Sequence, residues 1–323
     1  MVQYSKGSLY AADPFSTMVH YILQEGFCNA KCDHCYMLLQ NQSPRKRELE
    51  TAKQDLESLT NQGYNVHLRG TEILLNPEYL KLFSLVKQEY VQTNGKELHK
   101  NPSLFQNLHD EGIKRILLTY PSKPENLTDF SEEMVDYVIN KSSNAGFRTI
   151  VDFICTKGIF EAFKEDSLYF EKLSEHLIER GARELRFVRL IPFNPDLGKI
   201  TLSPEESRRI VKESVRLERQ YEGKLDVTRA GQFGCFDLRR KLKEQYFGIK
   251  VPLPEESGIM DCPSGKKLFV IDLKNDIYPC LYLMDDSNKI GKFTEGKIIV
   301  KPETKFGALH LNDCPAYTYH SEA

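Results

Sequence analysis

The chain contains 323 residues, of which 40% are hydrophobic and 28% are charged, enough to build a sizeable buried core. Its 44 basic and 46 acidic residues leave a formal net charge of −2, which gives no reason to expect a nucleic-acid partner. No apolar run approaches the roughly 18–20 residues of a membrane span, and residues 1–6 do not open a secretory signal. The sequence therefore indicates a soluble globular protein with no membrane partner.

Eight cysteines form two groups separated by a single residue, at positions 28, 32 and 35, then 155, then 235, 262, 280 and 314. A chain without an export signal is expected in a reducing, cytoplasmic compartment, where disulfide scaffolds are rare. Clustered cysteines in such a compartment more often bind metals or act in catalysis. We therefore expect the two groups to carry the chemistry of the protein.

Residues 19–192 alternate between strand and helix patterns. Strands are predicted at 19–23, 65–69, 90–93, 113–119, 147–156 and 184–191, and helices at 44–63, 77–88, 131–145 and 167–180. Strands that alternate with helices form parallel sheets with right-handed crossovers. The pattern predicts an α/β protein with six βα units, in a partial or closed TIM-like barrel, with an open doubly wound sheet as the alternative.

The pattern changes after residue 192. Ser203 begins a Ser-Pro-Glu-Glu motif that predicts a long charged helix over 203–219, and a second helix fits 236–247. From residue 258 onward, short strand-like runs at 267–273 and 298–300 are mixed with turns and three cysteines. We predict a barrel domain at 1–195, a helical connecting segment at 196–257 and a small metal-stapled α+β extension at 258–323.

The first cysteine group, Cys28, Cys32 and Cys35, has C-x3-C-x2-C spacing and is followed by the aromatic Tyr36. Zinc sites usually have a second ligand pair within a few tens of residues, whereas the next cysteine here lies 120 residues further on. Three thiolates without a nearby fourth ligand suit a 4Fe-4S cluster with one open iron. Zinc with His34 as the fourth ligand is the alternative.

The cysteine spacing and the aromatic residue after it resemble the radical S-adenosylmethionine (radical SAM) family, and further motifs follow in that family's order. Gly70, Thr71 and Glu72 stand where the family has a Gly-Gly-Glu turn, and Thr71 departs from the second glycine. Asn94 lies in a Thr-Asn-Gly tripeptide that looks like the family's own. The resemblance implies that these residues and Tyr36 lie against S-adenosylmethionine, with the turn around its methionine part.

The same resemblance implies further cofactor contacts on later strands. Thr119 falls where a small hydroxyl residue often meets the cofactor carboxylate, and Asp152 falls where relatives carry an asparagine near the ribose, or is a polar residue at the barrel mouth. Arg186 and Arg189 have odd spacing, so only one faces inward, and we expect Arg189 to point inward and bind the carboxylate. Cys155 lies in an apolar strand and is expected in the core.

The second cysteine group resembles the twitch form of the SPASM extension, which carries an auxiliary iron–sulfur cluster in radical SAM enzymes. Cys262, Cys280 and Cys314 match its cysteine pattern, and Asn275 replaces a glycine, a mild change because asparagine also tolerates positive φ. The resemblance implies a second 4Fe-4S cluster whose fourth iron is either open to substrate or closed by Cys235. Two alternatives remain: the group binds zinc, or Cys235 is only a packed thiol.

The resemblance implies a radical SAM oxidoreductase or maturase that takes an electron from a flavodoxin- or ferredoxin-type donor. S-adenosylmethionine is cleaved reductively to a 5′-deoxyadenosyl radical, which abstracts a hydrogen atom from a peptide or natural-product substrate. We expect a net oxidation or another biosynthetic modification. Only 27 residues precede Cys28, so we expect no N-terminal leader-peptide recognition domain.

Two alternative functions remain open. A peptide epimerase would use Cys235 as the catalytic hydrogen donor. A non-enzymatic zinc-binding interaction protein would use both cysteine groups as structural sites, and it would be colourless where an iron–sulfur protein is brown.

Overall fold

The computed structural model describes residues 17–35, 44–121, 127–190, 195–230 and 268–301. The strands in these ranges are β1 (Met18–Glu25), β2 (Arg45–Lys46), β3 (Asn65–Gly70), β4 (Tyr90–Thr93), β5 (Arg115–Tyr120), β6 (Arg148–Cys155), β7 (Glu184–Arg189), β8 (Asp226–Ala230), β9 (Leu268–Ile271), β10 (Asp276–Tyr278), β11 (Gly291–Thr294) and β12 (Lys297–Val300). The α-helices are α1 (Leu49–Asn61), α2 (Lys96–Lys100), α3 (Leu104–Asp110), α4 (Glu132–Asn144), α5 (Lys157–Glu165), α6 (Tyr169–Arg180), α7 (Pro195–Ile200) and α8 (Pro204–Gln220), and 3-10 helices lie at Ile73–Leu75, Pro77–Leu85, Leu281–Leu283 and Asp286–Asn288. None of these helices combines the length and the apolar character that crossing a membrane requires.

Strands β4 to β8 form a parallel five-stranded sheet in chain order. At least one helix lies between each pair of neighbouring strands along the chain. Parallel neighbours need such crossover connections, because the chain must return to the starting edge of the sheet. This arrangement confirms the predicted α/β class.

The second sheet is built around β1. This strand is parallel to β3 on one edge and to β9 on the other, and β2 pairs antiparallel with its last two residues. Strands β10, β11 and β12 continue antiparallel from β9. The strands of the predicted C-terminal extension therefore share a sheet with the first strand of the predicted barrel.

The buried Gln88 side chain joins the two sheets between β3 and β4. Its Oε1 accepts a hydrogen bond from the backbone N–H of Leu68 at 2.5 Å, and its Nε2 donates to the carbonyl of Tyr90 at 2.8 Å. His67 Nδ1 lies 2.8 Å from the Tyr90 hydroxyl and adds a second link. The parallel strands β1, β3, β4, β5, β6 and β7 therefore follow one another in the order expected for a partial (βα)6 barrel.

The largest part of the core lies between the strands and the helices that cover them. Phe153, Phe170 and Phe187 are buried there, with Phe170 and Phe153 ring centroids 5.1 and 6.4 Å from that of Phe187. Cys155 belongs to the same core and is 0% exposed, which confirms its predicted place. Burial raises the pKa of its thiol, so it stays protonated and unreactive.

The segment predicted as a helical connection at 196–257 is helical only in part. Helix α8 begins as predicted, with Ser203 and Glu206 forming a capping box. Residues 226–230 then form β8, which pairs with β7 and extends the parallel sheet. The predicted helix at 236–247 lies outside the described residues, and the domain boundaries stay predictions.

Candidate active site

The predicted cofactor motifs lie at one edge of the fold. The cysteine loop, residues 26–35, follows β1; the turn of Thr71 and Glu72 follows β3; and Asn94 follows β4. Carboxyl ends of parallel strands meet at the same edge, where α/β proteins bind their ligands. The sheet order therefore brings these three motifs together.

The cysteine loop is held by backbone contacts. Cys35 N–H donates to the carbonyl of Cys32 at 3.0 Å, and Cys32 forms an isolated antiparallel bridge with Thr128. Asp33 N–H donates to the carbonyl of Leu127 at 3.0 Å, also after the end of β5. These contacts attach the loop to the segment that precedes α4.

The three thiols of the loop are half-buried and influence one another electrostatically. Burial, followed by the charges of Cys35 and Cys28, raises the pKa of Cys32 to about 12. Burial also raises the pKa of Cys28, and Glu72 and Cys35 add to this effect against an opposing hydrogen bond from Ala30 N–H. Thiolates gathered in such a place need a cation to stabilise them.

The donor set of the loop fits an iron–sulfur cluster in its chemistry, because three thiols lie on one loop and no carboxylate stands among the ligands. Within the described residues, no three Cys, His, Asp or Glu side chains are already arranged as a metal site. His34, the alternative zinc ligand, is half-buried, and burial lowers its pKa to about 4.

The Glu72 carboxylate ties the ends of β3 and β4 together. It is 1% exposed and accepts hydrogen bonds from Asn94 N–H at 2.8 Å, from the Thr93 hydroxyl at 2.9 Å and from Leu74 N–H at 3.3 Å. Burial raises its pKa to about 7 against these donors. Its contacts in the structure are therefore internal, and contact with the ammonium of a cofactor stays a prediction.

Gly70 and Thr71 pack against the end of β1. A Cβ on Gly70 would lie 3.0 Å from Gln24 Cγ and 3.2 Å from the Gln24 carbonyl oxygen, so a larger residue would push the turn away. The Thr71 hydroxyl donates to the carbonyl of Phe27, and its N–H donates to the carbonyl of Gln24 at 3.3 Å. The side chain that departs from the family motif thus binds the start of the cysteine loop.

Gln24 organises this edge, although the sequence motifs do not point to it. The residue is 0% exposed; its Nε2 donates to the carbonyls of Glu72 at 2.6 Å and Phe27 at 3.3 Å, and its Oε1 accepts from Asn76 Nδ2 at 2.5 Å. The available signal was a polar residue directly after the apolar run of β1.

Asn94 connects the Thr-Asn-Gly tripeptide to the cysteine loop. Its Nδ2 lies 3.7 Å from Cys28 Sγ and donates to Asn29 Oδ1 at 2.8 Å. Lys96 donates hydrogen bonds to the Asn29 carbonyl and to the Asp129 carboxylate, each at 2.8 Å. The sequence motifs do not point to this lysine either. The predicted site residues Cys28 and Asn94 are therefore neighbours.

Thr119, Asp152 and Arg186 stand in register on β5, β6 and β7. Arg186 Nε and Nη2 donate to the two carboxylate oxygens of Asp152 at 2.5 and 2.6 Å, in a buried bidentate pair. Arg189 pairs in register with Cys155, on the opposite face. Residues three apart on a strand point to opposite sides, so the register puts Arg186 on the face of Asp152 and Arg189 on the other face. Which of the two arginines meets a cofactor carboxylate stays a prediction.

Of the second cysteine group, the structure describes Cys280, which is half-buried beyond the end of β10. Asn275 has φ of 61° and makes the turn between β9 and β10, as its replacement of glycine predicts. The predicted site residues Tyr36, Cys235, Cys262 and Cys314 lie outside the described residues.

Neither a protein-family profile nor a curated protein sequence matches this chain. Solved structures do resemble it. Streptococcus suis SuiB bound to S-adenosylmethionine matches with a TM-score of 0.64 and 16% identity, over 85% of this chain and 63% of SuiB. SuiB bound to the precursor peptide SuiA matches with a TM-score of 0.62 and 16% identity, over 83% of this chain and 60% of SuiB.

A second protein, anSMEcpe with bound AdoMet and Kp18Cys peptide, matches with a TM-score of 0.59 and 16% identity, over 86% of this chain and 78% of anSMEcpe. This chain thus spans less than two thirds of SuiB and more than three quarters of anSMEcpe. At this level of identity the likeness concerns the fold: the chain shares the fold of SuiB and of anSMEcpe, both of which are solved with bound S-adenosylmethionine.

Proposed function

We propose that this protein is a radical SAM enzyme that modifies a peptide substrate. The observation that carries the proposal is the placement of Cys28, Cys32 and Cys35 on the loop after β1, joined through Asn94 to the end of β4, in a radical SAM fold. A 4Fe-4S cluster with S-adenosylmethionine, when bound, supplies a 5′-deoxyadenosyl radical that abstracts a hydrogen atom from an unactivated C–H bond.

The protein's own residues would bind and orient these groups. Cys28, Cys32 and Cys35 would hold the cluster. The turn formed by Gly70, Thr71 and Glu72, together with Asn94, would surround the methionine part of the cofactor. Gly70 lets this turn pack closely on Gln24, because a Cβ at this position would lie 3.0 Å from Gln24 Cγ.

The polar row across β5, β6 and β7 would face the rest of the cofactor. Thr119 and Asp152 keep the roles that the family resemblance implies, near the carboxylate and the ribose. Arg186 takes the place first assigned to Arg189, because it shares the face of Asp152. Its guanidinium is held in one orientation by the bidentate pair, which favours recognition of a planar acceptor.

A peptide is the substrate class favoured by the structural relatives, since SuiB is solved with the precursor peptide SuiA and anSMEcpe with the Kp18Cys peptide. We propose a net oxidation or a related modification of such a peptide, with a flavodoxin- or ferredoxin-type protein as the electron donor. A second cluster on Cys262, Cys280 and Cys314 would make the C-terminal segment a twitch-like extension. Oxidation of the substrate releases an electron, which this cluster would accept.

Iron content tests the proposal. Anaerobically purified protein is expected to be brown and to hold about eight iron ions per chain, four for each cluster. The Cys28→Ala/Cys32→Ala/Cys35→Ala variant should keep about four. Colourless protein containing zinc would support the interaction-protein alternative and contradict the proposed function.

A further inference from the structure

Arg47 contacts one segment near the beginning of the described chain and another near its end. The side chain is 7% exposed, although it carries a permanent charge. Its Nε donates to the carbonyl of Ile22 at 2.9 Å, its Nη1 donates to Asn275 Oδ1 at 2.7 Å, and its Nη2 donates to the carbonyl of Asp272. One guanidinium therefore joins β1 to the turn between β9 and β10.

The position of Arg47 explains these contacts. Residues 18–21 of β1 pair with β9, whereas residues 24–25 pair with β2 on the same edge. The carbonyls of Ile22 and Leu23 lie between these two ladders. Arg47 satisfies both of them, because its backbone N–H donates to Leu23 at 2.9 Å while its side chain donates to Ile22. Arg47 thus supplies hydrogen-bond donors to the edge of β1 beyond the point where its pairing with β9 ends.

The surroundings of Arg47 fix its side chain. Its guanidinium carbon lies 4.3 Å from the centroid of the Tyr21 ring, and its Nη1 is 3.6 Å from the Asp55 carboxylate. Tyr21 Oη donates to the same carboxylate, and Tyr79 Oη donates to the carbonyl of Arg47. A buried charge that is paired and hydrogen-bonded in this way has one favourable orientation.

The turn that Arg47 contacts leads directly to the second cysteine group. Asn275 adopts φ of 61°, and the Asp272 carboxylate accepts hydrogen bonds from the N–H groups of Lys274 and Asp276 at 2.9 and 2.7 Å. Strand β10 begins at Asp276, and Cys280 follows two residues after its end. The orientation of this turn therefore sets the direction in which the chain reaches Cys280.

The opposite face of the same strands connects the two cysteine groups. Ile22, Val270 and Tyr278 form a small buried cluster from β1, β9 and β10. The half-buried Cys35 packs against this cluster, as does Leu281, which directly follows the second-group cysteine. A shift of β10 relative to β1 would thus change the spacing between the cysteine groups.

We propose that Arg47 is a positioning residue that locks the Asn275 turn onto β1 and thereby sets where Cys280 lies relative to the first cysteine group. The lock is a property of the protein alone. Its effect on a cluster at Cys280 rests on the proposed function. The two parts are therefore tested by separate measurements.

Hydrogen exchange of the full chain, measured without iron, tests the lock. Arg47→Met removes the guanidinium, Asn275→Gly removes its acceptor while keeping a residue suited to positive φ, and Arg47→Lys restores one donor. Glu295→Gly is the matched control, because Glu295 also has positive φ (50°), is exposed and lies in the neighbouring hairpin. We expect exchange in residues 272–283 to rise roughly 10- to 100-fold in the first two variants, less in Arg47→Lys and not in the control. Equal exchange in Arg47→Met and the control would overturn the lock.

The cluster is tested in the Cys28→Ala/Cys32→Ala/Cys35→Ala background, where only the second cysteine group can hold iron–sulfur. Arg47→Met and Asn275→Gly should alter the electron paramagnetic resonance spectrum and midpoint potential of that cluster, and Arg47→Lys should restore them in part. An unchanged spectrum and potential would overturn the positioning role. If the background protein holds no iron while exchange still depends on Arg47, the second cluster of the proposed function fails and the lock stands.

Discussion

At the scale of single residues, buried polar groups with full sets of partners give the candidate site its shape. The Gln24 amide bonds the carbonyl of Glu72 and the side chain of Asn76, and the Glu72 carboxylate in turn accepts from Thr93 and Asn94. A buried polar group that loses its partner costs about 1–3 kcal/mol. Each of these residues is therefore held in place by the others.

Gln24→Leu tests this interdependence. The leucine is close in volume but leaves the Asn76 amide and the Glu72 carbonyl without their partner, so we expect the free energy of unfolding to fall by roughly 2–4 kcal/mol. Urea denaturation measures the loss. Gln106→Leu is the control, because Gln106 is exposed and its side chain donates a hydrogen bond to Asp110 on the same helix. Its free energy of unfolding should stay within about 0.5 kcal/mol of that of wild type. Equal stabilities for the two variants would refute the role given to Gln24.

The pair of Asp152 and Arg186 calls for a double-mutant cycle. Arg186→Met strands a buried carboxylate and should destabilise the protein by about 3 kcal/mol, whereas Asp152→Leu/Arg186→Met should recover at least half of that loss. Arg183→Met is the control, because Arg183 directly precedes β7 and is exposed. Denaturation without cofactor of wild type, Arg186→Met, Asp152→Leu and the double variant gives the four values of the cycle. Additive losses in the double variant would show that the two side chains do not pair.

At the scale of elements, sequence patterns predict where the strands of the barrel lie, but they do not predict which further strands pair with its edges. The strands β1 and β3 to β7 match the predicted runs because each is a short segment in which buried apolar residues alternate with polar ones or follow one another. Strands β8 and β9 pair with β7 and β1, and paired residues of β1 and β9 lie 250 positions apart along the chain. No local pattern records such a pairing.

Local sequence patterns also gave a wrong helix boundary where pairing with a distant strand decides the local structure. The helix expected from residue 44 begins at Leu49, because Arg45 and Lys46 pair with the end of β1 instead. The sequence could not show whether Arg186 or Arg189 shares the face of Asp152, because the pairing register of β6 and β7 decides which residues stand side by side. The sequence shows that the three cysteines of the first group share one loop, because they lie within eight residues of one another.

Strand β10 carries a buried carboxylate whose stability contribution depends on pH. Burial raises the pKa of Asp276, but the ammonium groups of Lys289 and Lys292, at 2.8 and 2.7 Å, outweigh it and lower the pKa on balance. A lowered pKa in the folded state stabilises the protein above the unfolded value of about 3.9 and loses that effect as pH falls through the folded value.

Asp276→Asn should therefore reduce the free energy of unfolding by about 1 kcal/mol at pH 7, and the difference from wild type should shrink below pH 4. Thermal denaturation at both pH values measures it. Asp286→Asn is a suitable control, because Asp286 also faces Lys289 but its side chain is 92% exposed. A difference that stays constant down to pH 3 would contradict the assigned cause.

At the scale of the whole molecule, the first cysteine group and Cys280 lie far apart in the chain but follow strands of the same sheet. Strand β1 leads into Cys28, Cys32 and Cys35, and β10, two strands away in the same sheet, leads into Cys280. The apolar cluster of Ile22, Val270 and Tyr278 lies between them. The fold thus places Cys280 on the same sheet as the strand that leads into the first cysteine group.

The formation of 5′-deoxyadenosine from S-adenosylmethionine tests the central claim most directly. Reconstituted protein, reduced with dithionite under anaerobic conditions, should release 5′-deoxyadenosine and methionine in equal amounts. The Cys28→Ala/Cys32→Ala/Cys35→Ala variant should release neither above a blank without protein. Cleavage by the triple variant at the rate of wild type, or none by iron-loaded wild type, would contradict the account.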